Sequence, residues 1–258
     1  MRRHILAWLA GFCVLSIHPT DHQSIAHAQT AADYITLEDF ADTPVDSLPR
    51  GWRWRSKDDD KPKLYAVHEA NGQHYLAAQD TGHSVVLFKR IELNPHQYPI
   101  VTWCWRVDDL PVGGDERYTE TNDSAAAVHI IASKTFFLGI PRQIKYVWST
   151  TLEPGTIGRR KGIGRPWFVV LESGAEKVGQ WVMEQVDIEH DYQRTFTGAL
   201  PDDERTMAIG VLTDANQTRS FARAAYADFR AWPRAALGQI TNYCATLSCG
   251  QTTVLSPR

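Results

Sequence analysis

A two-residue alternation runs through most of this chain, and it leaves few architectures open. At 101–108, Val101, Trp103, Trp105 and Val107 fall on one side of an extended backbone, while Thr102, Cys104, Arg106 and Asp108 fall on the other. That is the pattern of a strand with one buried face. Ala126, Val128, Ile130 and Ala132 repeat it, as do Ile144, Tyr146 and Trp148, then Trp167, Val169 and Leu171, then Met207, Ile209 and Val211. Further strands are predicted over Tyr34 to Phe40, Leu64 to Ala70, His74 to Gln79, Ser84 to Leu93 and Ala224 to Trp232. Turn signals separate them. Asn71-Gly72 suits a two-residue hairpin because both positions accept positive φ, and Pro111-Val112-Gly113-Gly114, Glu153-Pro154-Gly155 and Ser173-Gly174 mark other reversals. Helical periodicity is confined to Glu189–Phe196 and a fragment at Ala235–Leu237. Many short strands with such spacing predict an all-β, antiparallel sandwich of jelly-roll or carbohydrate-binding type, with one short helix near 189–197.

The N-terminus reads as an export signal. Arg2 and Arg3 precede an apolar run from Ile5 to Ile17, and Ala26-His27-Ala28 supplies a small-x-small cleavage pattern. The mature chain is expected to begin at Gln29 and to reside in the periplasm or outside the cell. No later run is long and apolar enough to span a bilayer. Residues 29–233 are expected to form a single sandwich domain and 234–258 an appended tail. Without residues 1–28 the chain carries 25 Lys and Arg against 29 Asp and Glu. Such mild acidity speaks against nucleic acid as a partner, which selects for a basic stripe. Three cysteines remain. Cys244 and Cys249 are close enough in sequence to predict a short disulfide loop in the tail, leaving Cys104 as a small buried hydrophobe.

One stretch concentrates acidic groups: Glu184, Asp187, Glu189 and Asp191 follow Gly179-Gln180-Trp181 within a strand that turns into a helix. Gln185-Val186-Asp187-Ile188-Glu189 approaches the paired-carboxylate strand of retaining glycosidases. However, Gln185 occupies the nucleophile position, and an amide cannot form the glycosyl ester. Strand parity puts Glu184 on the same face as Val182, Val186 and Ile188, so it must be paired, hydrogen-bonded or neutralised. Arg106 is one expected partner.

Several motifs occur together in order: Trp103-Cys104-Trp105-Arg106-Val107, Asn122-Asp123-Ser124-Ala125-Ala126, Lys145-Tyr146-Val147-Trp148-Ser149, and Gly179-Gln180-Trp181 with Glu184. Asp191-Tyr192, Leu212-Thr213-Asp214-Ala215-Asn216 and Ala225-Tyr226-Ala227-Asp228-Phe229 continue the series. From about Leu37 to Trp232 the chain thereby resembles the bacterial family catalogued as domain of unknown function 3047. The resemblance implies an exported β-sandwich and no established activity. The family pattern carries an acid where Asn122 stands, an arginine where Ala127 stands and an acid where Asn216 stands. Those departures move weight from catalysis toward binding, or toward a purely structural role.

The expected ligand site joins Asp123, Asp214 and Asn216 with an aromatic floor of Tyr146 and Trp148, and Trp181 as a stacking surface. Its expected occupant is a glycan or similar small polar ligand. Glu184, Asp123 and Asp214 are the carboxylates available to the alternative, a glycan-active hydrolase or lyase. A second alternative is a structural partner in an envelope complex. No cofactor is expected, apart from a structural calcium that Glu38, Asp39 and Asp228 could hold if the first and last strands are neighbours. Arg159, Arg160, Lys161 and Arg165 form the one basic cluster, between glycines and exposed.

Overall fold

The structure is a computed structural model and describes residues 34–54, 64–134, 139–162, 164–196, 199–203 and 205–248, without the side chains of 133, 134 and 207. Residues 1–28, where an export signal with its cleavage pattern is expected, and Cys249 lie outside these residues. The strands are β1 (Ile35–Glu38), β2 (Trp52–Arg53), β3 (Tyr65–Ala70), β4 (Gln73–Asp80), β5 (Leu87–Leu93), β6 (Ile100–Asp109) and β7 (Ala126–Lys134). They continue with β8 (Pro141–Ser149), β9 (Ile157–Arg159), β10 (Trp167–Ser173), β11 (Val182–Asp187), β12 (Thr206–Leu212) and β13 (Ala222–Trp232). Two short helices, α1 (Ile188–Phe196) and α2 (Ala245–Ser248), follow β11 and β13. The protein is an all-β sandwich of jelly-roll type. One sheet runs β11-β6-β13-β4-β3 with β1 also on β13, and the other runs β2-β5-β12-β7-β8-β10-β9. Pairing is antiparallel except between β8 and β10, which are parallel.

The alternation of β6 decides how the layers meet. Its apolar face turns inward, where the Trp103 ring lies 5.7 Å from Tyr146 and the Trp105 ring 6.0 Å from Trp148 of the facing sheet. All four rings are fully buried. Large aromatics bring the most apolar area per residue into such a core. The Asn71-Gly72 hairpin joins β3 to β4, with φ of 54° and 74° at its two residues. Where β11 ends, the Asp187 carboxylate accepts from the His190 amide at 3.1 Å, a side-chain cap that starts α1. The helix buries Ile188, Asp191, Tyr192 and Thr195, one face at helical spacing.

The C-terminal segment corrects one expectation. Cys244 pairs with Cys104, at a Cα–Cα distance of 5.7 Å, instead of closing a loop within the tail. Cys104 faces away from the tryptophans on β6, onto the outer side of the six-stranded sheet. There it is packed with Trp181, Ala225, Ala227 and Leu247. The segment is docked on that face. The Tyr243 hydroxyl donates to the Asp228 carbonyl at 3.0 Å, and Arg230 stacks 3.9 Å above the Tyr243 ring. Two cysteines distant in sequence are neighbours because the tail folds back over β6 and β13.

Candidate functional site

The outward positions of the seven-stranded sheet build a cleft of about 470 Å³. On β12 those positions are small, Ala208 and Gly210, between Phe88 and Arg90 of β5 and His129 and Ile131 of β7. A Cβ at Gly210 would stand 3.3 Å from the Leu87 carbonyl oxygen and 3.4 Å from His129 Cβ. The missing side chain therefore gives the floor its depth. Gln143 and Lys145 of β8 and Phe168 of β10 form the far wall, and the loop bearing Arg160 and Arg165 closes one side. Ring packing holds that wall in place: Phe168 lies over Gly158 of the neighbouring β9, where a Cβ would meet its ring at 2.4 Å.

Polar groups line one end. Lys145 is buried and donates to Ser124 Oγ at 2.9 Å. Ser124 Oγ donates to Glu116 Oε1 at 2.9 Å, and Ser149 Oγ to Glu116 Oε2 at 2.6 Å. Asp214 accepts from the Ser124 amide at 3.0 Å and from Ser84 Oγ at 3.3 Å. Burial, partly offset by the nearby Lys145 charge, pushes the Asp214 carboxyl up to about 6. His129 is buried beside them, and neither ring nitrogen makes a hydrogen bond. Burial first, and the Lys145 charge second, push its pKa down to about 3, so the ring stays neutral. The Gln143 amide works against that shift from a position that does not complete a hydrogen bond. A neutral imidazole can offer one donor and one acceptor.

Of the residues expected at a site, Asp214 lines this cleft; Tyr146 and Trp148 do not. They are inward on β8, where the Tyr146 hydroxyl donates to Asp191 at 2.9 Å and the Trp148 indole to the Gly174 carbonyl at 3.0 Å. Asn216 is half-buried in the loop after Asp214. Asp123 is fully buried and accepts from the Gln217 and Thr218 amides at 3.1 and 2.7 Å and from Thr218 Oγ1 at 2.6 Å. It staples the loop beside the cleft. An Asp123→Asn variant is expected to lose about 1.5 kcal/mol of stability, because one carboxylate acceptor becomes a donor facing donors. A urea denaturation midpoint equal to the parent's would remove that structural role.

Trp181 lies on the other sheet's outer side, with the Arg106 guanidinium 5.1 Å over its ring. Glu184 is paired with Trp105, whose indole donates to it at 3.0 Å, and not with Arg106, which is on the opposite parity and holds Asp108 at 2.8 Å. Burial, then repulsion from Glu172, raises the Glu184 carboxyl to about 8. Glu38 accepts from the Phe40 amide, the Trp52 indole and Lys89, and Asp228 accepts from Arg230. Asp39 caps the Ala41 amide at 3.0 Å. Among the described residues no group of three His, Cys, Asp or Glu is arranged to hold a metal ion.

His129 and Lys145 are what the alternation conceals. Each is a polar residue at the outward parity of a strand whose two flanking neighbours are apolar and buried, and that placement is the signal by which they can be found.

Residues 50–230 match the model of a family described as "Protein of unknown function (DUF3047)". No curated protein matches the sequence. Among solved structures, a family 11 carbohydrate-binding module of cellulosomal cellulase Lic26A-Cel5E from Clostridium thermocellum is similar at a TM-score of 0.40 and 10% identity, over 79% of this chain and 96% of that one. The native family 12 xyloglucanase from Bacillus licheniformis is similar at 0.41 and 7%, over 79% and 97%. At these scores neither one places a site residue in this chain.

Proposed function

This chain belongs to the DUF3047 family, and we propose that it holds a carbohydrate or similar polar ligand, without chemistry, in the cleft on the outer face of its seven-stranded sheet. The observation that carries the reading is the convergence, in one concave and largely apolar site, of buried Lys145, unpartnered His129 and the Gln143 amide. Ligand sites have that make-up: an apolar wall with a few placed polar groups that fix orientation. Export to an oxidising compartment is part of the proposal. The Cys104–Cys244 disulfide supports it, as does the signal pattern ending at Ala28.

Binding is favoured over catalysis by the state of the carboxylates. Both oxygens of Glu116 and both of Asp214 already accept from protein donors. A glycan-active hydrolase or lyase is the second reading, and one observation favours it. Asp214 sits in the cleft with its carboxyl raised to about 6, the range in which such a group serves as acid or base. A panel of soluble polysaccharides in affinity electrophoresis separates the two. Retardation by at least one glycan, with no release of reducing ends or unsaturated product, is the expected result. His129→Ala and Gln143→Ala are each expected to weaken that retardation by about tenfold, the scale of a lost buried hydrogen-bond contact. If both variants bind like the parent, the cleft is not the site.

A further inference from the structure

The cleft's charges define its ligand more narrowly than its shape does. Its lining carries four bases, Arg90, Lys145, Arg160 and Arg165, against two acids, Glu116 and Asp214. This is a basic site on a chain of net charge −3. The two acids are spent on serine hydroxyls and a backbone amide, as described above. Of the bases, Lys145 stands near Asp214 with donors to spare, and the three arginines are not spent in the same way. Elsewhere Arg106, Arg117, Arg223, Arg230 and Arg234 each hold an aspartate. Arg90, Arg160 and Arg165 form no salt bridge among the described residues, although the Asp214 charge reaches Arg160. Arg160 is half-buried next to the like charge of Arg165, and burial followed by that repulsion pulls its pKa down. Lys145 is 4% exposed, yet it donates a single hydrogen bond within the protein, although an ammonium has three donors. Buried charge with unused donors is a costly arrangement unless something completes it.

We infer that the group completing it is the carboxylate of an acidic sugar, a hexuronate, set against Lys145, Arg160 and Arg165. Arginine's planar fork matches a carboxylate bidentately, and Lys145 adds a point charge from below. The ring's C–H face then lies on the apolar wall of Phe88, Ile131 and Phe168, with His129 and Gln143 in reach of its hydroxyls. The inference deepens the carbohydrate reading above and rests on it. An inorganic anion would use the cations and leave that wall bare.

The probes are oligogalacturonate and oligomannuronate, the methyl ester of each, and a neutral cello-oligosaccharide, titrated calorimetrically into the full mature chain. At least one uronate is expected to bind, its methyl ester about tenfold more weakly, since the ester removes the charge and one bidentate contact. Affinity for the acid is also expected to fall as NaCl is raised, because salt screens the exposed Arg165 and, in part, the half-buried Arg160. The double variant Arg160→Ala/Arg165→Ala is expected to lose about tenfold in affinity for the acid while keeping its melting temperature. Lys145→Met is less informative, since it removes the charge that offsets the burial of Asp214 and endangers folding. Binding of ester and acid alike, or a double variant that binds the acid like the parent, overturns the assignment. Binding of the cello-oligosaccharide alone overturns it too, but leaves the carbohydrate reading standing. Failure of every probe together with every glycan of the wider panel removes both.

Discussion

Reduction of the Cys104–Cys244 disulfide is expected to lower the thermal unfolding midpoint by about 10 °C, the shift that about 4 kcal/mol produces in a domain of this size. The bond joins positions separated by 140 residues, from the middle of β6 to the segment after β13. In the chain-entropy account, a cross-link closing so long a loop removes about 5 kcal/mol of freedom from the unfolded chain, and measured values run somewhat lower. Both sulfurs are also in a sealed apolar cluster beneath Trp181 and Leu247, so two thiols would remain there with no gain in packing. Cys244→Ser is expected to reproduce the loss without reductant, and Cys249→Ser to melt like the parent. The opposite order in differential scanning calorimetry would restore the pairing within the tail that sequence proximity suggests.

Glu184→Gln is expected to stabilise the protein at alkaline pH by about 2 kcal/mol and to flatten its stability profile between pH 5 and 8. The native carboxyl keeps its proton up to about 8, whereas the unfolded chain releases it near 4.5. Between those values the native state binds more protons, so stability falls as pH rises and the full penalty is present above pH 8. At about 1.4 kcal/mol per unit the ceiling lies between 4 and 5 kcal/mol, and partial solvent access at the sheet edge reduces it. Glutamine retains an acceptor for the Trp105 indole while removing both the titration and the repulsion from Glu172. Urea unfolding of the two proteins at pH 5, 7 and 9 reads the effect directly. Parallel profiles would mean that another group dominates the alkaline limb.

The alternation at 101–108 was sufficient to place the tryptophan core, because β6 has one apolar side and one polar side. It was insufficient on β7 and β8. There the second parity is itself partly apolar, with Ala127 and Ile131 on β7 and Val147 on β8, so period two separates faces without saying which face meets the other sheet. Tyr146 and Trp148 looked like a binding floor because they are aromatic beside polar neighbours. In the fold they are the inward members, and Lys145, the residue before Tyr146, is the one that reaches the cleft. Glu184 was recognisable as a group in need of a partner, but Trp105 satisfies it because only the inward parity of β6 faces it. The disulfide was hidden for another reason. Proximity along the chain said nothing about a tail that returns across two strands.

The terminal strands of the cleft-bearing sheet have a consequence for how these molecules meet each other. Among the described residues the outermost strands of that sheet are short, two residues in β2 and three in β9. A strand that short cannot template a second chain by edge-to-edge addition. The other sheet has longer borders in β3 and β11, and those carry His68, Glu69 and Asp187, polar and charged side chains that discourage the same event. Crowded molecules are thus kept from fusing into continuous sheets, and the basic cleft keeps its approach from solvent.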